Sequence, residues 1–538
     1  MAKEKDSVNK LNRKVFISFL GTTGYTVCNY YFDGDVQNRV CNVRHVQEAI
    51  VRHECGAWTE KDKVMIFLTD KARKTNWESG KFGDKETDSN TNPPIKAGDD
   101  KWGLQEQLLK WAKEKGLPES VIEDVNLPNE GFSEDEIWGL FNTIESKVEK
   151  GDEIYFDFTS GFRSLPMLGI VLLTYLKNTK DIAIGEIYYG AFEKMGPAVV
   201  VKAMPVDERN APVLRLKSFS DIMDFSNAAN VFVKFGNGRL LHEHITKWAI
   251  ENRKNKVKQE FTDKIQTLGN TLKKLTDNLQ TCRGGEICYE GNQMNGGIFN
   301  QLSEWFEDHE ANAYQDNEFK ALRPLLKNIQ EKYEAFHTEN SYQNGLIAAK
   351  WCFDNQMYQQ SVTFLQESLV TYYTEKVGLH PEIEEERAVV EYKLKNLSEK
   401  QYEKPLNATV SPKWIREFDS MIQKRKARFA ESAEHGRPVP DMVLAKYDYD
   451  EQKCECFKSQ IDKIPESVQN LYQKITESRN DMNHAGFLKN VEFVSGKESR
   501  KADSVIKSLS NFFKELDINK PKTYIDTIEF KENKKEEV

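Results

Sequence analysis

The segment RNDMNH, from Arg479 to His484, sets an arginine and a histidine five positions apart, with Asn480 and Asn483 between them. The guanidinium is a permanent cation that can hold a phosphate or offset developing negative charge, and the imidazole moves a proton near neutral pH. These are the groups that metal-free cleavage of a phosphodiester requires. Upstream, Val468, Tyr472 and Ile475 form an apolar helical stripe that Arg479 continues, so a charge falls where a buried side chain is expected. A buried cation needs a partner or a task. By itself the spacing also fits an arginine snorkelling out or paired with a core carboxylate, and a surface or capping histidine.

Two further constellations lie in the N-terminal third. FLGTTGYT, Phe19 to Thr26, follows the first predicted strand and places Gly21, Thr22, Thr23 and Gly24 where open α/β sheets bind ligands. It is neither G-x-G-x-x-G nor a Walker loop, and alone it reads as a tight strand-to-helix turn. FDFTSGFRSLP, Phe156 to Pro166, ends a buried strand in Asp157, Thr159, Ser160 and Gly161, with Phe162 and Arg163 opening a leucine-rich helix. Ser160 can cap that helix, Gly161 permits close approach, and Arg163 adds a cation at its positive end, a combination suited to phosphate. An arginine on a solvated helix end would leave the same pattern.

The elements that must position these residues fall into two regimes. From Lys14 to about Met204, β-rich runs alternate with amphipathic helices, which predicts a parallel-type α/β sheet. Strands are expected at Val15–Leu20, Val64–Thr69, Ile154–Phe158, Ile184–Tyr189 and Ala198–Ala203, and helices at Val43–Arg52, Gly103–Lys115, Ile137–Lys150 and Leu165–Asn178. The polar stretch Lys71–Asp100, with Pro93-Pro94, reads as a long loop. After about Pro212 strand signals almost vanish. One long helix is predicted from near Glu243 to Cys282, stopping at Gly284-Gly285, and others at Asn344–Asp354, Gln359–Val377, Glu382–Asn396 and Pro465–His484. The expected division is a ligand-sensing α/β domain over 1–211, a helical linker region over 212–335 and a helical domain carrying the Arg–His segment over 336–538.

The chain has 538 residues, too many for one core, and its longest apolar runs are far short of a bilayer span. The charged start, MAKEKDSVNKLNRK, has no secretory pattern, so a cytoplasmic address without membrane insertion is expected. A net charge of −9 argues against a surface built to coat nucleic acid, while leaving room for a local RNA site. The eight cysteines read as reduced thiols, and neither they nor His242 and His244 have metal-ligand spacing, so no metal site is expected. Tyr30, Tyr31, Tyr188 and Tyr189 read as core or sheet residues, one of them available to a base.

DFTSGFRSLP resembles the D-x-T-H-G-F-R motif of CRISPR-associated CARF proteins, and TDKARKTNW (Thr69 to Trp77) and FSNAANVFVKFGN (Phe225 to Asn237) are similar to other segments of that subfamily. Arg479 and His484 match the R-x4-H signature of HEPN ribonucleases. Over most of its length the chain resembles the type III CRISPR accessory ribonucleases that join CARF to HEPN. One departure is Ser160, which stands where the family carries a histidine and so removes any ligand contact an imidazole would make.

The resemblance implies a Rossmann-like CARF domain followed by an all-α region ending in HEPN. It implies that cyclic oligoadenylate, an allosteric activator and not a cofactor, binds at Gly21, Thr22, Thr23, Gly24, Asp157, Thr159, Ser160, Gly161, Phe162 and Arg163. It further implies cleavage of single-stranded RNA in a site built by two copies of the chain, a homodimer or higher even oligomer. There Arg479 would stabilise charge, His484 would orient the hydroxyl or move protons, and Asn480 and Asn483 would position groups by hydrogen bonds. Two other readings share the same residues. One is a non-catalytic nucleotide-sensing regulator. The other is a ring nuclease degrading its activator with Thr22, Thr23 and Arg163.

Overall fold

The computed structural model describes residues 12–127, 132–160, 165–253, 259–288, 297–311, 317–337, 343–395, 413–434, 450–483 and 502–515. The chain divides into two compact units, residues 1–221 and 222–538.

In the first unit the strands are β1 (Lys14–Phe19), β2 (Cys28–Phe32), β3 (Asp35–Val43), β4 (Lys63–Leu68), β5 (Gly80–Lys81), β6 (Asp100–Lys101), β7 (Ile122–Asn126), β8 (Glu153–Asp157), β9 (Ala183–Gly190) and β10 (Asn210–Arg215). Eight of them form one sheet in the order β3-β2-β10-β9-β8-β1-β4-β7, and β5 and β6 pair separately. The run β9-β8-β1-β4-β7 is parallel, and β10 meets β9 antiparallel. β1 occupies the middle because Val15, Phe16, Ile17 and Phe19 are apolar on both faces, as a strand covered by helices on both sides requires. Val46, Leu104, Leu108 and Trp111 cover one face; Leu140, Ile144, Leu172 and Leu176 cover the other.

The helices Val46–Glu54, Leu104–Glu114, Glu134–Lys147 and Leu165–Lys180 fall close to their predicted places. Two expectations fail. Ala198–Lys202 is a helical turn: Gly196, at φ +106°, and Pro197 redirect the chain, so the valine run leaves Val199 exposed and buries Val201. Lys71–Asp100 is not a structureless loop, since it buries Asn76, Trp77 and Phe82 and is fastened at Asp88, whose carboxylate accepts two bonds from the buried guanidinium of Arg209 at 2.5 and 2.9 Å. The strands β2, β3, β7 and β10 were not anticipated. β3 is largely exposed and polar, and β7 reads IEDVN, so neither shows an apolar run.

The second unit is helical among the described residues. The predicted helix from Glu243 to Cys282 is instead two, Arg239–Asn252 and Gln259–Gln280, with 254–258 outside the described residues. They pack on each other, Ile245 lying against Gly269, which one straight helix cannot do. Gly284-Gly285 starts the short helix Gly284–Cys288 rather than merely ending its predecessor. The helices Gln343–Asp354, Tyr358–Lys376, Glu384–Leu394 and Glu466–Asn483 share one core through residues such as Leu346, Leu365, Val390 and Tyr472. No helix among the described residues is long and apolar enough to cross a membrane.

Candidate functional site

Both neighbours of β1 leave it in opposite directions along the sheet, β4 to one side and β8 to the other, so their following loops part and leave a crevice at the carboxyl ends. A cavity of about 540 Å³ occupies it, lined by Gly21, Thr22, Thr23 and Gly24 after β1, Thr69 after β4, Thr159 and Ser160 after β8, and Tyr189 and Gly190 at the end of β9. The β1 and β8 motifs, 135 residues apart in sequence, thus face one space, their sides joined by a hydrogen bond from Tyr25 to Ser160.

Asp157 lies beneath this space. Its carboxylate accepts from Ser18 Oγ at 2.7 Å, from Thr159 N at 2.9 Å and from Thr159 Oγ1 at 2.5 Å, and it is fully buried. Burial raises its pKa above the ordinary carboxylate value, with the bonds from Thr159 and Ser18 opposing the shift. Thr159 Oγ1 in turn accepts from Gly190 N at 2.7 Å, tying the end of β8 to the end of β9. A Cβ at residue 190 would come within 2.5 Å of Val46 Cγ2, so glycine is required there. Asp157 therefore builds the floor rather than presenting oxygens to a ligand.

The Gly21–Gly24 loop is held from outside the two motifs. Asn76 Nδ2 donates at 2.8 Å to the carbonyls of both Gly21 and Thr23, while its Oδ1 accepts from Arg44 at 2.9 Å. Arg44, fully buried, also donates to the carbonyl of Trp102 at 3.1 Å and pairs with Glu86 at 3.5 Å. Lys101, bonded to Glu86 at 2.8 Å, and Arg44 help hold the Glu86 carboxyl below its usual range against its partial burial. With its carbonyls turned back to Asn76, the loop can offer N–H and O–H groups to an anion. Among the described residues lining the cavity there is no lysine or arginine, and Glu193 contributes a carboxylate that accepts from Tyr189. Gly161, Phe162 and Arg163 lie outside the described residues.

Residues 15–193 match the CARF domain of the CRISPR system endoribonuclease Csx1. The α/β unit is a CARF domain. The chain is also similar to the CRISPR-associated protein MJ1674 of Methanocaldococcus jannaschii, at 23% identity over 394 residues that cover 68% of this chain and 53% of that protein. It thus spans about half the length of the curated relative it matches. Both likenesses are to CRISPR-associated proteins, and the first locates the shared domain in the α/β unit. Within the CARF domain, sequence reasoning missed Tyr25, Arg44 and Asn76. Asn76 and Tyr25 lie inside the TDKARKTNW and FLGTTGYT segments already singled out, whereas Arg44 left no signal.

In the helical unit the stripe Val468, Tyr472 and Ile475 is buried, and Arg479 continues it half-buried on the helix Glu466–Asn483. Its Nη1 donates to Gln366 Oε1 at 3.1 Å, and its buried Nε has no partner among the described residues. Gln366 Nε2 donates to Tyr472 Oη at 3.0 Å, and Tyr472 Oη to Glu391 Oε1 at 3.3 Å. Asn480 is exposed; Asn483, also exposed, accepts from Gln359 Nε2 at 3.1 Å. His484 lies outside the described residues, so the spatial relation of the Arg–His pair is not part of this geometry.

Proposed function

We propose that the chain is an accessory endoribonuclease that binds cyclic oligoadenylate in its CARF cavity and thereby cleaves single-stranded RNA. The observation that carries this reading is the glycine–threonine cavity at the carboxyl ends of β1, β4, β8 and β9 in a domain matching the Csx1 CARF domain. The amides and hydroxyls of Gly21–Gly24 would meet the phosphates, with Thr159 and Ser160 facing them across the cavity and Gly161, Phe162 and Arg163 proposed as further ligand contacts. In the helical unit, two copies of the chain would bring together two Arg479–His484 pairs about a twofold axis. There the RNA 2′-oxygen attacks phosphorus as its proton passes to a base, and the bond to the 5′-oxygen breaks, leaving a 2′,3′-cyclic phosphate and a 5′-hydroxyl. Arg479 offsets the charge on the phosphorane and His484 moves the protons. What supports Arg479 in this role is its retention, half-buried and hydrogen-bonded, on an otherwise apolar stripe. The activator acts by binding the cleaving arrangement more tightly than the resting one.

The test incubates labelled single-stranded RNA with the pure protein in EDTA, with and without each cyclic oligoadenylate. Activator-dependent cleavage to cyclic phosphate ends is expected. No cleavage with any ring overturns the ribonuclease reading. Loss of the cyclic oligoadenylate itself would favour a ring nuclease.

A further inference from the structure

One side chain in the cavity already occupies the groups an anion would use. Tyr25 Oη accepts from Gly21 N at 3.0 Å and donates to Ser160 Oγ at 3.1 Å, so one phenol bridges the loop after β1 and the loop after β8. The approach depends on glycine: a Cβ at residue 21 would sit 3.0 Å from that oxygen. The ring is held edge-on by His45, with centroids 5.0 Å apart. Burial raises the Tyr25 pKa, so the group remains a phenol able to donate as well as accept. Behind the loop, Asn76 fixes the carbonyls of Gly21 and Thr23.

We infer that Tyr25 is a stand-in for the ligand: its hydroxyl holds the Gly21 N–H and Ser160 positions in the cavity, and a phosphate oxygen entering there must break the bridge. Resting on the activator reading above, this makes Tyr25 a residue that sets the affinity threshold. A phosphate repays the exchange because its bonds to the same amide and hydroxyl are charge-assisted, while the phenol's are not. Ser160 suits the device, since its hydroxyl accepts from Tyr25 in the bridge and can donate to phosphate when the phenol leaves.

The test is calorimetry of the full chain with cyclic tetra-adenylate and cyclic hexa-adenylate, wild type against Tyr25→Phe, which keeps the ring and deletes the bridge. Removal of the internal competitor should tighten binding by about 3- to 10-fold, the range that one or two ordinary hydrogen bonds command. If the wild type binds and Tyr25→Phe binds equally or more weakly, this inference falls alone; if the wild type binds neither ring, the activator reading falls and carries this one with it. A second measurement needs no deletion: 3-fluorotyrosine placed at position 25 should show a displaced fluorine resonance at saturating ring, and an unmoved resonance overturns the bridge-breaking.

Discussion

Gln366 meets Arg479 across 3.1 Å, and a chain of hydrogen bonds behind it dictates which end of its amide does so. A carboxylate only accepts, so Glu391 accepts the hydrogen bond of Tyr472 Oη–H, that oxygen accepts from Gln366 Nε2, and Gln366 Oε1 is left for the guanidinium. Gln366 and Tyr472 are buried, which makes the direction of the chain stable.

Gln366→Leu is expected to leave Arg479 and Tyr472 each short of a partner, at about 1–3 kcal/mol of stability. Activated RNA cleavage should lose about 1.4 kcal/mol of transition-state stabilisation, roughly tenfold in kcat, with KM little changed. Thermal melting and single-turnover kinetics read the two effects separately; a stable variant with wild-type kcat would show that Gln366 serves the core alone.

Arg479→Ala and His484→Ala should each abolish activator-stimulated cleavage while the circular dichroism spectrum and the binding of cyclic oligoadenylate are retained. Either variant cutting RNA at the wild-type rate would end the catalytic assignment.

Asp157 governs stability through burial. Its folded pKa is raised above the ordinary 3.8, so the folded state binds its proton more readily than the unfolded chain. Stability from this group is therefore largest below that ordinary value and declines as pH rises through the folded value. Asp157→Asn should flatten this part of the pH dependence and keep an acceptor for Thr159, whereas Asp157→Ala strands Ser18 and Thr159 and should cost about 2–4 kcal/mol. Melting curves over pH 4 to 7 decide; an Asp157→Ala protein as stable as Asp157→Asn would remove Asp157 from the floor of the cavity.

Arg163→Ala should weaken activator binding by at least ~10-fold, since a charge-assisted contact to phosphate adds ~1.5–3 kcal/mol. Cleavage should recover at high activator concentration because the RNA site is untouched. Unchanged affinity in calorimetry would make Arg163 a structural helix-end residue.

The central strands and the helices over them were legible because burial on both faces forces apolar runs, as in Val15 to Phe19 and Val64 to Leu68. β3 and β7 were not, since edge strands need no apolar run and theirs are polar. The glycines and threonines of the cavity could be named from local sequence, because a loop after a strand has few places to go. The groups that hold it could not. Asn76 and Arg44 act through backbone carbonyls and each other, and nothing in their immediate neighbours announces a contact 55 residues away between Asn76 and Gly21. Arg479 was visible as a charge interrupting an apolar stripe, whereas its partner Gln366 sits on another helix with no pattern to disclose it.

The pair between Asp88 and Arg209 spans 121 residues, so one anchor of the excursion bearing Asn76 and Glu86 comes from a residue near the end of the α/β unit. On the ribosome, everything from the first strand to the loop after β8 is made before that guanidinium emerges. A nascent chain halted short of Arg209 keeps the Asp88 carboxylate without its counter-charge, and the excursion that carries Asn76 lacks this second anchor beside the one from Arg44. Full fastening of this excursion thus waits on the last strand of the α/β unit, and products terminated before Arg209 should lack it.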